Sequence, residues 1–496
     1  MDIARGKDAL ASTLERYGLG LHPRQWRVPP IDTYPRAIAF AKTVPGRLVL
    51  IAVFAVLIRL QGWDLWLWTT AAAAITSFAG RHRHVVALLC TGAILARAPD
   101  WFNYRAVYLV AEQESLLSSL HLGQVRAATL LACALLAAGS IWLARHYRHH
   151  PYGQRPVLIQ HAVFLLFLLG VSLAPLHGMS RIVAWSLFTV FLAYFWFMAY
   201  ALIDQRTKNP SGLIFQLATF HPFYGSTTSP WGKGAAYLRS VESHTPDELA
   251  VTQLKALKLI AWALFLYVLL KVYRKVLYAK LGIPQLDQSF NLYVQFGIGP
   301  GPMGALTIIV DYFEQLLMIA AAGHVIIATA RLAGFRLLRN TFRPLSSRSI
   351  AEFWNRYDYY FKELLVNVYF YPTFLRYFKK HPRLRIAFAT FMAAGVGNLL
   401  FHFMMENYRI PRDGLFETVA HMQTYAFYCA VLVTGIVVSQ LRGRSQSRHD
   451  TWFHAQFLPS LKVGSFYCLL SFFDGSESSV ELSKHFGFLF HILGIQ

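Results

Sequence analysis

The sequence predicts an all-α, polytopic integral membrane bundle, and three observations predict it. Of 496 residues, 55% are hydrophobic and only 15% charged, against about 25% charged in soluble globular chains. The apolar residues come in long runs, not in the short periodic stripes of a water-soluble fold. The basic residues sit in short clusters between those runs: RHRH at 81–84, RHYRHH at 145–150 and RGRSQSR at 442–448. Such clusters turn the net charge of +22 into cytoplasmic loops facing anionic headgroups. They argue against a nucleic-acid partner, for which basic residues gather in one patch or stripe. The four cysteines, Cys90, Cys133, Cys429 and Cys468, have no metal-ligand or redox spacing. They are expected to pack as small hydrophobes.

Residues 1–43 are mixed polar with no apolar run near the start, so a cleaved signal peptide is not expected. They read as a membrane-surface segment, and 44–496 as a single integral membrane domain. Two spans, 47–60 and 65–80, are joined by a tight QGWD turn. The run at 85–96 is short, suited to a tilted or re-entrant segment. Residues 104–122 carry VAEQESLLSSL and predict an interfacial or buried helix. Strong spans follow at 127–144, 157–176 and 182–203. The hydrophilic stretch 204–255 contains HPFYGSTTSPWGKGAAYLR; its Gly, Pro and Ser density predicts an ordered loop covering a membrane face.

Another span follows at 257–270, closed by KVYRKVLYAK. The Gly/Pro break QFGIGPGPMGAL precedes an apolar run at 306–333 that carries Asp311, Glu314 and His324. Irregular backbone and ionisable groups at membrane depth belong against protein or a polar cavity. Between 331 and 385 stand twelve Lys/Arg and three Asp/Glu, which predicts a cytoplasmic loop. Spans at 386–405 and 421–441 and short apolar ends at 463–473 and 486–495 complete roughly ten to twelve membrane segments on a 20-residue yardstick.

Two stretches carry the candidate chemistry. SIAEFWNRYDYYFKELLVNVYFYP, 349–372, opens with a capping box: Ser349 and, three residues on, Glu352 start a helix at Ile350. Continued, that helix puts Trp354, Asp358 and Lys362 on one face. The plain reading is an interfacial aromatic helix with an Asp358–Lys362 surface pair. GVGNLLFHFMMEN, 395–407, places His402 in an apolar segment, with Asn398 and Glu406 four residues to either side. His402 reads either as a core histidine bonded to a carbonyl or as a general base that takes the proton of an attacking hydroxyl. In the second case Glu406 or Asn398 would fix its tautomer.

These stretches resemble the membrane-bound O-acyltransferases. The first looks like the FW-x-RW-H-x-S segment of bacterial D-alanyl and alginate O-acetyl transferases, and His402 looks like the family's histidine in its apolar helix. The resemblance covers 306–405. Tyr357 stands in place of the usual Trp, Asp358 where bacterial relatives carry His, and Phe401 where a small residue or Trp is usual. The resemblance implies a helical bundle around a central tunnel in a bacterial cytoplasmic membrane. An acyl thioester, acyl-CoA or an acyl carrier, would be co-substrate, and no cofactor or metal is implied. The acceptor would be a hydroxyl of a lipid, glycan or secreted polymer. His402 would be general base and Asp358 would position donor or acceptor. Trp354, Arg356, Lys362, Asn398 and Glu406 would contact substrate, the cations through donor phosphates. A partner protein is a further expectation. Two other readings stay open: a transporter with Asp311, Glu314 and His324 along its route, for which no internal repeat speaks, and a non-catalytic scaffold of the same fold.

Overall fold

The computed structural model describes residues 31–97, 103–118, 121–150, 152–225, 229–299, 301–442, 452–475 and 480–494. Most of the N-terminal surface segment, and the RGRSQSR cluster beyond Arg442, lie outside them. The described chain is helical, and its one β feature is an isolated bridge between Glu242 and Phe335. In chain order the helices used below are α1 (Pro35–Lys42), α2 (Val44–Leu60), α3 (Trp66–Phe78), α4 (Arg83–Arg97), α5 (Arg105–Gln113), α6 (Leu122–His146), α7 (Pro156–Leu173), α8 (Gly178–Asp204), α9 (Pro246–Arg274), α10 (Leu286–Phe296) and α11 (Gly304–Leu332). They continue with α12 (Ile350–Tyr357), α13 (Tyr359–Leu365), α14 (Pro382–Thr390), α15 (Asn398–Met405), α16 (Gln423–Leu441), α17 (Leu458–Ser471) and α18 (Leu482–Ile492).

Among the described residues, seven helical segments are long and apolar enough to cross a bilayer, or eight if α1 and α2, bent by 100° at Thr43, count as one span. The ten to twelve membrane segments expected include shorter helices that this length test leaves out. The difference lies in short helices. Helix α3 has 13 residues and reaches only about 20 Å at 1.5 Å per residue, against a hydrocarbon core of about 30 Å. Helices α17 and α18 fall short for the same reason.

Helix α8 is the central pillar: 61% of its most apolar 18-residue window is buried, against 22% to 39% for the other six. Its Trp185, Phe188, Phe195 and Trp196 head one core, which extends to Phe353, Phe361, Met404, Leu432, Tyr467 and Phe488. A second core joins α9 to α11, where Ala256, Ala263, Ala328 and Ala330 are fully buried. Small residues let membrane helices approach closely where lipid offers no hydrophobic drive. Helix α9 starts eleven residues before the apolar run at 257. Thr245 caps it by accepting from Glu248 N–H at 3.1 Å, Pro246 fits the first turn, and Asp247 and Glu248 face the positive end of the helix dipole.

The hydrophilic loop ahead of α9 is tied to the bundle by buried charge. Arg83 donates to Glu242 at 2.8 Å and to the Ser243 carbonyl at 3.0 Å. His84 shares the same carboxylate at 2.8 Å. Further along, Lys233 is ion-paired with Glu363 of α13.

The basic segment after α11 does not stay at the surface. It enters the bundle along α12, turns at Asp358 and leaves again. Its contacts with the neighbouring span run antiparallel. Phe361 lies 4.5 Å from Phe401 between ring centroids, Tyr369 packs on Gly397, and the Phe374 carbonyl accepts from the Arg385 guanidinium at 2.5 Å. Tyr360 and Leu364 are fully buried. The segment 349–374 is therefore a re-entrant helical hairpin, and burial in protein is what permits its broken backbone.

Candidate functional site

The hairpin opens as its sequence predicts. Ser349 Oγ accepts from Glu352 N–H at 3.1 Å, and the Glu352 carboxylate accepts from Arg348 N–H at 2.9 Å. It does not continue as one helix. Asp358 has φ −132° and ψ 83°, outside the helical range, and caps α13 by accepting from Phe361 N–H at 3.2 Å. Trp354, Asp358 and Lys362 thus do not share a face, because the break rotates the second helix away from the first. Lys362 pairs with Glu363 and lies 5.0 Å from the Tyr359 ring, so the expected Asp358–Lys362 pair does not form. Burial pushes the Asp358 carboxyl above its ordinary pKa, against the Phe361 N–H and the Asn340 side chain, which favour its charge.

The other predicted contacts resolve as follows. Trp354 is buried in the first core, 5.9 Å from the Phe361 ring, with its indole N–H unpartnered among the described residues. Arg356 is held by Glu352 at 2.8 Å and Ser346 at 3.0 Å, which leaves less of it for a phosphate than a free guanidinium would offer. Asn398 is fully buried, and neither amide atom has a hydrogen-bond partner among the described residues. Helix α15 ends at Met405, so Glu406 is its C-cap, and its carboxylate turns to Arg409 at 2.6 Å. Neither Asn398 nor Glu406 reaches the imidazole of His402.

The partner of His402 is one that sequence spacing does not reveal. Asp474, in the turn after α17, brings Oδ1 to 3.3 Å from His402 Nε2. Tyr425 of α16 stacks on the imidazole at 4.4 Å, and Tyr428 meets it edge-on at 5.9 Å. Burial pushes the Asp474 carboxyl up to about 7, and the neighbouring Tyr428 hydroxyl offsets part of the rise. His402 keeps 16% and Asp474 33% of its side-chain surface accessible, although both are deep among protein atoms.

The remaining wall is aromatic. Phe401 stands between Phe361 of the hairpin and Trp196 of α8, at 4.5 and 6.4 Å. Beside it is a small cavity of about 50 Å³ against Thr189, Met404 and Asn407. Among the described residues no His, Cys, Asp or Glu cluster has the geometry of a metal site.

The arrangement supplies a histidine and a carboxylate that can share a proton inside a helical membrane protein. The chain matches no known family model and no curated protein.

Proposed function

We propose that the protein is a membrane-bound O-acyltransferase, moving an acyl group from a thioester donor to a hydroxyl acceptor at His402. The observation that carries this reading is the His402–Asp474 pair, 3.3 Å apart, with each side chain partly accessible. An ionised Asp474 accepts from Nε2–H, which leaves the lone pair on Nδ1. That nitrogen takes the acceptor's hydroxyl proton as the oxygen attacks the thioester carbonyl. The C–S bond then breaks, and the imidazolium returns the proton to the departing thiolate. Asp474 stabilises the imidazolium between the two transfers. Asp358, partly buried at the hairpin turn, is the residue proposed to position a substrate. Trp354, by contrast, acts through packing.

The test is thiol release by the purified, reconstituted protein from acyl-CoA or an acyl carrier in the presence of hydroxyl acceptors. His402→Ala is expected to lower transfer by about 10² to 10⁴, the usual worth of a general base, with the protein still monodisperse. Turnover equal to wild type in that variant removes His402 from the reaction. A transporter reading gains little from Glu314, which is engaged by Arg274 at 2.6 Å and by Tyr278. His324 sits about 20 Å along the same helix from Asp311 at 1.5 Å per residue.

A further inference from the structure

Helices α16 and α17 leave between them a cleft of about 800 Å³ that is separate from the His402 site. Its rim carries Arg348, Arg442 and Lys462. Among the described residues, no carboxylate pairs with any of the three side chains. Its floor is apolar, with Val431, Val438 and Phe466. Gly435 keeps that floor deep: a Cβ there would come within 2.7 Å of Phe466 and 3.0 Å of Ile350. In the chain next to the lining residues His454 and Leu458, Trp452, Phe453 and Phe457 are 70%, 49% and 42% exposed, as aromatic anchors at a headgroup boundary are.

We propose that this cleft binds one anionic phospholipid, its phosphate on the three cations and an acyl chain along the apolar floor. Three cations with no carboxylate partner among the described residues, above a hydrocarbon-lined slot, complement an amphiphile with a negative head. Basic pockets between membrane helices bind such headgroups. The opening favours a lipid over a soluble phosphate compound. Leu441 and Leu461, each one residue from a rim cation in the chain, are 39% and 53% exposed, so apolar side chains stand close to the cations on both helices, as an acyl chain arriving from the bilayer requires. Ser349 and Ile350, the first residues of the hairpin, line the same cleft. The bound lipid therefore bears on the element that ends at Asp358. The proposal does not depend on the acyl-transfer reading, and its test needs no activity.

The experiment is native mass spectrometry of the full-length protein with added phosphatidylglycerol or phosphatidylcholine of identical chains. The expected result is one retained phosphatidylglycerol, at least tenfold preferred. Combined R348Q, R442Q and K462Q is expected to abolish the preference, each charge contributing about fivefold. V438W, which fills the floor without changing charge, is expected to lower retention of both lipids. R442Q alone changes an exposed side chain that the fold does not need, and it should show its own fivefold loss if the combined variant does not fold. Equal retention of the two lipids by wild type, or unchanged retention in R442Q or V438W, overturns the proposal. Displacement of phosphatidylglycerol by an equimolar amount of coenzyme A overturns it as well, because the site would then be one for a soluble phosphate.

Discussion

At the scale of single residues, the imidazole's behaviour is set by a carboxylate that titrates close to neutrality. Below about pH 7 Asp474 is protonated and donates to Nε2, which fixes the proton of a neutral His402 on Nδ1. Above it, the carboxylate accepts from Nε2–H and frees Nδ1. Transfer should therefore rise with pH through about 7 in the wild type. In Asp474→Asn that inflection should vanish and the rate fall by about tenfold or more, a pH–rate profile of the two proteins being the check. The sign for stability is the reverse. Because burial raises this carboxyl above its unfolded value, Asp474 should cost stability progressively as pH rises from about 4 to about 7. The thermal midpoint of the wild type should fall relative to that of Asp474→Asn over that range. His402 itself was legible as an ionisable group in an apolar run. Its partner was not, because nothing in FFDGSESS distinguishes Asp474 from an acid at a headgroup boundary. Only the packing of α17 against the rest of the bundle brings the two together. Four-residue spacing pointed to Glu406 instead, and it failed because the helix stops one residue short of it.

At the scale of elements, the hairpin turn depends on Asp358 in a way that two substitutions separate. As an N-cap, Asp358→Asn should be nearly neutral, while Asp358→Ala should lose about 1 kcal/mol, read as a lowered thermal midpoint. If the side chain also positions a substrate through its charge, Asp358→Asn should keep that stability and lose transfer. Activity equal to wild type in Asp358→Asn reduces the residue to a cap. Gly397 tests the returning arm. A Cβ there would lie 2.5 Å from the Tyr369 ring, so Gly397→Ala should destabilise by about 1–3 kcal/mol through overpacking, measured by thermal unfolding. The start of α12 could be read from its capping box, since that signal is local. The break could not. The hydropathy and spacing of DYYFKELL suit a continuing helix as well as a restarted one, and the choice is made by Phe361 packing on Phe401.

At the scale of the whole molecule, the all-helical membrane architecture was legible because composition and run length suffice for it. The number of segments that cross was not legible, because a short helix buried against its neighbours has the same hydropathy as a crossing. The Arg83–Glu242–His84 cluster holds the hydrophilic loop to the end of α4, with the Arg83 and Glu242 side chains only 3% and 10% exposed. Removing one partner leaves an unpaired buried charge. Glu242→Ala should therefore cost about 3–5 kcal/mol, seen as a large drop in thermal midpoint and as proteolysis of the loop around 205–245. Isosteric Glu242→Gln, which keeps the shape and some hydrogen bonds, should cost less.

The hairpin also settles how compartments can be assigned along the chain. An arm that goes in and comes out on the same face leaves the parity of crossings untouched. Reporter enzymes fused near 345 and near 379 must then reside in the same compartment, despite about thirty mostly apolar and aromatic residues between them. A topology map that counted the hairpin as a crossing would invert every segment from α14 to the C-terminus.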